Sequence, residues 1–169
     1  MIAKLIVEGK EFPIEIQDLE LQKLLTPRKK TGYERVDDEQ IYWVQNMIGG
    51  ICWANESICF TGNNEYYNSA NYYSDDTIAK NNARADELMR QLRRFAVEHR
   101  KSEIDWHNES QCKYYIYNET NTTNLDIDYC HITRYFGGIY FDTAEAANLA
   151  ISTFHDELVW YFTEYKDSL

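Results

Sequence analysis

The chain has 169 residues, which lets one domain, or two small ones sharing a core, bury about two-thirds of the unfolded surface without disulfide bonds. Its 28 acidic and 17 basic residues give a formal net charge of −11, which argues against bulk attraction to nucleic acid or to an anionic membrane surface. The sequence shows no signal-peptide pattern, no apolar run of the roughly 20 residues that span a bilayer, and no zinc-type spacing of its 4 cysteines, so we expect a reduced protein in the cytoplasm.

The N-terminal part is predicted to form a β-hairpin followed by a short helix. Residues 3–7 and 12–16 are rich in β-forming side chains and flank a polar turn. Asp18 can then cap a short helix that carries leucines on one side. We expect these elements to form a small unit over residues 1–28, which the basic segment 29–36 links to the rest of the chain.

The next region, residues 37–101, is predicted to form strands and then a long helix. Strands are expected at 41–45 and 50–53, with a further candidate strand at 58–60. An asparagine-rich stretch, residues 63–71, interrupts the pattern.

The long helix of this region is predicted to begin after Ser74-Asp75-Asp76 and to continue to about His99. Side-chain oxygens at its start can accept hydrogen bonds from free amide groups, and the negative charges suit the helix dipole. Its apolar residues recur with a period of about 3.6 and form one stripe that faces the core. They are Ile78, Ala85, Leu88, Met89, Leu92, Phe95 and Ala96.

The last region, residues 102–169, is predicted to repeat this order of elements. Its strands are expected at 114–117, 125–130 and 138–141. Asp142 and Glu145 have the spacing of a capping box and predict the start of a second long helix. The buried stripe of that helix consists of Ala147, Ala150, Ile151, Phe154, Leu158 and Phe162.

One pattern occurs twice in the chain. Residues 67–75 can be laid on residues 135–143 without a gap, and each stretch leads into a long amphipathic helix. We therefore predict an α+β fold in which an N-terminal hairpin and a short helix precede two tandem β-β-(β)-α repeats. Two long helices are expected to pack on the antiparallel sheet or sheets of these repeats.

No catalytic, metal-binding or cofactor-binding signature is found. The histidines lack paired spacing, and no phosphate-binding, nucleophile-elbow or dinucleotide glycine pattern occurs. Asp126 and Asp128 share one face of a predicted strand and could hold a divalent cation with Glu103 or Asp105, but the solvated face of a hairpin is the favoured interpretation. We expect no catalytic residue, no metal and no cofactor.

The cysteines offer one candidate pair. Cys52 and Cys59 could face each other across a hairpin that turns over residues 54–57. A reducing compartment favours reduced, packed thiols over a disulfide bond.

A basic series on the first long helix is the first candidate interaction surface. Its members flank the apolar stripe and could grip an acidic partner or a phosphate. The alternative is a solvated helix face, on which Asp86 pairs with Arg90 and Arg94 with Glu98. The candidate binding residues are Arg90, Arg93, Arg94, Arg100 and Lys101.

An excess of tyrosine is the second candidate surface. Tyr66, Tyr67 and Tyr72 lie among asparagines, and this combination is typical of adaptable binding surfaces. Aromatic strands also build cores, and alternation would turn half of these rings inward. The core interpretation is therefore the alternative.

Four segments resemble a family of proteins from phages, prophages and mobile elements of Gram-positive bacteria. They are residues 30–35, 70–74, the helix from 81–86 through Arg100, and 139–142 with its following helix. The family has no established activity, so the resemblance implies no catalytic residues. It implies a mobile-element protein of a bacterial cytoplasm.

The resemblance and the charge together suggest a function. We expect a non-enzymatic accessory protein that binds a host or phage protein, such as an inhibitor of host defence of the anti-CRISPR kind. The arginines could also dimerise the protein against its own acidic surface. The alternatives are a structural protein of virion assembly and a nucleic-acid-binding module that uses the arginine helix, although the net charge disfavours nucleic acid.

Overall fold

The protein is described here by a computed structural model that covers residues 2–7, 10–15, 30–57, 61–119 and 123–166. The chain divides into two compact units, Met1–Thr31 and Gly32–Leu169. In the first unit, β1 (Ile2–Val7) pairs antiparallel with β2 (Lys10–Glu15), as predicted. The expected short helix lies outside the described residues.

The second unit contains both predicted repeats and has an α+β fold, as expected. Its elements in chain order are β3 (Ile41–Gln45), β4 (Ile51–Asn55), α1 (Thr61–Asn68), α2 (Asp76–Glu98), β5 (Lys113–Asn118), β6 (Leu125–Cys130), α3 (Ala144–Thr153) and α4 (His155–Thr163). β3 pairs antiparallel with β4, and β5 pairs antiparallel with β6. The candidate strand at 58–60 lies outside the described residues, and the asparagine-rich stretch forms helix α1.

The two halves of this unit, which contain the predicted repeats 37–101 and 102–169, place the aligned sequence segments at equivalent positions. Tyr73 forms an isolated antiparallel bridge to Trp43 of β3, and Phe141 forms one to Tyr114 of β5. Tyr73 and Phe141 occupy the same place in the alignment of 67–75 with 135–143. Each bridge precedes a helix N-cap by two residues, so the predicted third strand at 138–141 is reduced to one bridging residue.

The first long helix forms as predicted. Asp75 is the N-cap of α2, and its carboxylate accepts hydrogen bonds from the amide groups of Thr77 and Ile78. The helix ends at Glu98, and His99 is its C-cap. Its buried face includes the predicted Ile78, Ala85, Leu88, Leu92 and Phe95.

The second long helix differs from the prediction in its N-cap, in its continuity and at Phe162, which was expected in the buried stripe but is 40% exposed. Its N-cap is Thr143, and the carboxylate of Asp142 instead accepts hydrogen bonds from the amides of Lys101 and Ser102, each at 2.7 Å. The helix also breaks at Phe154 into α3 and α4. The side chains of two consecutive residues, Ser152 and Thr153, donate to carbonyls four residues earlier, a pattern that bends helices.

The main core lies where α2, α3 and α4 pack against the β5–β6 hairpin. Its buried members are Leu88, Leu92, Phe95, Phe141, Ala146, Ala147, Ala150 and Leu158. Two smaller clusters cover opposite faces of β3: Tyr42 and Val44 pack with Tyr72, whereas Trp43 packs with Tyr73. The largest apolar cluster therefore joins the two halves, because α2 belongs to the first half and α3, α4 and the β5–β6 hairpin belong to the second.

Candidate binding site

A cavity of about 450 Å³ opens beside the C-terminal part of β5. Helix α2 supplies Leu88, Met89 and Leu92 to its wall, and α4 supplies Leu158, Tyr161 and Phe162. The other walls are residues 115–118 of β5 and the loop 135–140. None of the described residues that line it is charged. Its size and its mainly apolar wall are typical of sites that enclose a ligand or a partner side chain.

The loop 135–140 is shaped by its glycines and by Tyr140. Gly137 has a φ of +74°, a conformation that residues with a Cβ rarely adopt. A Cβ on Gly138 would lie 2.9 Å from the Tyr140 side chain, whose hydroxyl accepts a hydrogen bond from the amide of Tyr135. This turn leaves Phe136 fully exposed at the cavity rim, with 109% relative accessibility.

Carboxylates surround the tyrosines of β5. The hydroxyl of Tyr115 donates to Asp128 at 3.0 Å, and burial, followed by this contact, raises the pKa of Tyr115. The pKa of Tyr117 is also raised, first by the charge of Asp126 and to a smaller extent by burial and by Glu119. The site therefore combines an uncharged wall with a negative surrounding, which favours an apolar group flanked by cations.

Tyr72, one of the predicted binding residues, lies in the core. Its side chain is 1% exposed, and its ring stacks on Tyr42 with centroids 4.1 Å apart. The expectation that Tyr72 contacts a partner is therefore wrong. Tyr66 and Tyr67 are exposed on α1, and the ring of Tyr67 packs edge-on against Tyr72.

A buried carboxylate lies beneath these tyrosines. Glu56 is 6% exposed and accepts hydrogen bonds from Arg35 at 2.6 Å and from Tyr72 at 2.7 Å. Burial alone would raise the pKa of Glu56, but the hydrogen bonds from Arg35 and Tyr72 hold it below its ordinary value. Asn63 of α1 also donates to Glu56 and accepts from Tyr42, so the network ties α1 to the β3–β4 hairpin. No local spacing pattern in the sequence indicates it.

All five residues of the predicted basic series are exposed, and two of them form local ion pairs. Arg94 pairs with Glu98 at 3.8 Å, as the solvated-face alternative expected, and Arg100 pairs with Glu103 at 2.6 Å. Lys101 is exposed, and its amide donates to Asp142.

Arg90 and Arg93 are exposed, and no ion pair to either is found within the described part of the chain. Arg90 lies beside the β3–β4 turn, where its guanidinium would be 3.2 Å from a Cβ on Gly49. Arg84 instead joins two helices, because it donates twice to Glu157 and lies over the Trp160 ring.

The remaining sequence expectations concern metals and cysteines. Across residues 2–7, 10–15, 30–57, 61–119 and 123–166, no group of three or more acidic, histidine or cysteine side chains is placed to hold a metal ion. Cys52 is a free, exposed thiol opposite Val44, and Cys59 lies outside the described residues.

Comparison with known protein families, with curated proteins and with solved structures finds no match to the chain. None of the helices in the described ranges has the length and apolar character needed to cross a membrane.

Sequence reasoning missed the cavity. Its wall comes from α2, β5, α4 and one loop, so its parts are far apart in the chain. The local signal within the wall is the adjacent pair Gly137 and Gly138, and such a pair in a sequence indicates only a turn or a bulge.

Proposed function

We propose that the protein is a non-enzymatic accessory protein of a phage or mobile element that binds a basic protein of the host or the phage. The observation that carries this proposal is the cavity beside β5, called the aromatic cavity below because tyrosine and phenylalanine rings form much of its wall. That wall is uncharged, and Asp126, Asp128 and Glu119 border it. Exposed Phe136 at its rim adds an apolar contact group. An apolar core with a charged rim is typical of protein interfaces.

The chemistry of the cavity supports binding over catalysis. The described polar side chains in its wall are tyrosine hydroxyls and the amide of Asn118. Burial and the neighbouring Asp128 raise the pKa of Tyr115, so its hydroxyl stays protonated near neutral pH and serves as a hydrogen-bonding group rather than as a base.

The resemblance to mobile-element proteins suggests what such binding achieves. An acidic protein that covers a basic, nucleic-acid-binding surface of a host defence protein blocks it by stoichiometric contact alone. The net charge of −11 supports attraction to such a surface, and it also steers the encounter.

The test is affinity capture from a Gram-positive host lysate, followed by titration of the purified captured protein. Phe136→Asp should abolish a specific capture, because it places a charge at the apolar rim without disturbing the core. Met47→Asp is the matched control, since Met47 is as exposed, at 104%, but lies at the β3–β4 turn. Equal capture by all three proteins would contradict the proposal, and so would equal loss with both variants. Large assemblies in light scattering would favour the structural alternative.

A further inference from the structure

The first half of the second unit closes one strand edge with a side chain. Two residues beyond the Trp43–Tyr73 bridge, the main-chain amide of Gln45 donates to the side-chain oxygen of Asn71 at 2.7 Å. The side-chain nitrogen of Asn71 donates back to the Gln45 carbonyl at 2.8 Å. The amide of Asn71 thus takes the place of a strand residue at this edge.

The second half lacks this closure. In the alignment of 67–75 with 135–143, Asn71 corresponds to Ile139, which has no hydrogen-bonding side chain. Ile116 lies two residues beyond the Tyr114–Phe141 bridge, as Gln45 does beyond its own bridge.

The direction of the Ile116 main-chain groups follows from the strand register. Tyr114 exchanges both main-chain hydrogen bonds with Phe141, on the side of β5 away from β6. Main-chain groups alternate in direction along an antiparallel strand, and the β5–β6 register is regular. The amide and carbonyl of Ile116 therefore also point away from β6, and within the described chain no partner for them is found.

The aromatic cavity lies at this edge. Ile116 lines it, and so do Gly137, Gly138 and Ile139 of the loop. A strand continued from Phe141 would pair Ile139 with Ile116, but the Tyr114–Phe141 bridge is isolated and the pairing stops there.

We infer that this edge of β5 receives an extended peptide segment of the protein partner, which adds a strand between Ile116 and the loop 137–139. This inference rests on the proposed function and specifies its binding mode. Main-chain hydrogen bonds to Ile116 supply affinity, and alternate side chains of the peptide supply specificity.

The two faces of β5 define the sequence of that segment. A residue opposite Ile116 turns its side chain to the apolar side, where Ile116 and its partner Ile127 pack against the core. Its neighbour beside Tyr117 turns to the other face, where Asp126 and Asp128 lie opposite Tyr117 and Tyr115. The place beside Tyr115 on that face is taken by the ring of Tyr140. The segment therefore alternates basic and apolar residues, because lysine or arginine complements these carboxylates.

The test uses a blocked synthetic peptide of alternating lysine and valine. On titration with the whole protein, the Ile116 amide should shift in the NMR spectrum and exchange its hydrogen about tenfold more slowly. A peptide N-methylated on its valines, which cannot complete the ladder, should bind at least about tenfold more weakly. An alternating glutamate and valine peptide should not bind. Equal binding of the N-methylated peptide, or an Ile116 amide already protected in the free protein, would overturn the inference.

Ile139→Asn provides an independent arm. The new amide should close the edge as Asn71 does and remove peptide binding, whereas the control Ile139→Val should retain it. Circular dichroism verifies that both variants fold. If Ile139→Asn does not fold, the comparison of the lysine–valine, N-methylated and glutamate–valine peptides decides whether the inference holds.

Failure of this inference is distinguishable from failure of the proposed function. If capture of a partner depends on Phe136 but the NMR signal and hydrogen exchange of the Ile116 amide do not change on binding, the proposed function stands and the strand addition is wrong. A peptide that pairs with Ile116 while no captured protein depends on Phe136 would do the reverse.

Discussion

Replacing Tyr72 with phenylalanine tests whether the buried Glu56 network stabilises the first half. The Tyr72 hydroxyl donates to Glu56 and accepts from the amide of Val36 at 3.1 Å. Tyr72→Phe keeps the ring stacked on Tyr42 but removes both hydrogen bonds. It leaves one carboxylate oxygen of Glu56 without this donor in a site that is 6% exposed.

The magnitude follows from those two losses. An orphaned buried charged acceptor costs about 2 kcal/mol and the lost bond to Val36 about 1 kcal/mol, so the free energy of unfolding should fall by about 3 kcal/mol. For a domain of this size, that lowers the melting temperature by about 10 °C. Thermal and urea denaturation, followed by circular dichroism, measure both quantities.

The pH dependence gives the sharper assay. The pKa of Glu56 is lowered in the folded protein, so its contribution is complete above the ordinary glutamate pKa of about 4.3 and is lost as pH falls through the lowered value. Tyr72→Phe removes a donor and raises that pKa toward the ordinary value. The stability difference from the wild type should therefore be largest at neutral pH and shrink below about pH 4.

The control is Tyr66→Phe, which removes a hydroxyl from an exposed ring of the same cluster. It should change the unfolding free energy by less than about 0.5 kcal/mol. A stability loss in Tyr72→Phe that matches Tyr66→Phe, or that does not vary with pH, would refute the assigned role of the Glu56 carboxylate.

Two further predictions concern the loop and the helix pair. Gly138→Ala should destabilise the protein by about 2 kcal/mol, because the new Cβ would lie 2.9 Å from the Tyr140 side chain. The NMR signals of Phe136 and Tyr140 should shift as well. An unchanged melting curve would contradict this prediction. Arg84→Gln should cost about 1 kcal/mol, since the guanidinium lies 3.9 Å from the centroid of Trp160. The control, Arg93→Gln, should leave the denaturation curve unchanged. Equal effects of the two variants would show that the contacts of Arg84 with Glu157 and Trp160 do not stabilise the packing of the two helices.

Local patterns were sufficient to predict the elements whose cause is local. Asp75 caps α2 because a carboxylate next to free amides is stabilising whatever the surrounding fold. Helix α1 was missed because asparagine is a weak helix former, and its helix depends on a distant contact. Asn63 accepts from Tyr42 and donates to the carbonyl of Ser57, and these bonds hold α1 in place.

The error at Tyr72 has a similar origin. Strand alternation predicts that half of a tyrosine series points inward, and among Tyr66, Tyr67, Tyr72 and Tyr73 two rings are indeed buried. They are the consecutive Tyr72 and Tyr73, not alternate residues. The segment crosses the edge of β3, so Tyr72 packs on one face of the hairpin and Tyr73 on the other. The spacing of the tyrosines in the sequence does not predict that the segment crosses the edge of β3.

The two halves of the second unit differ in how they reach stability, and that difference decides which half can carry a site. The first half has small apolar clusters and depends on polar side chains, with Asn71 on the strand edge and Arg35 on Glu56. Opening its edge would cost about 1 to 3 kcal/mol for each buried main-chain group left unpaired. The hairpin of the second half instead faces the largest core, to which α2 of the first half and α3 and α4 all contribute, and this core can offset an open edge at Ile116. An open edge that faces an aromatic cavity is stabilised when a partner strand pairs with it, which is the condition for binding.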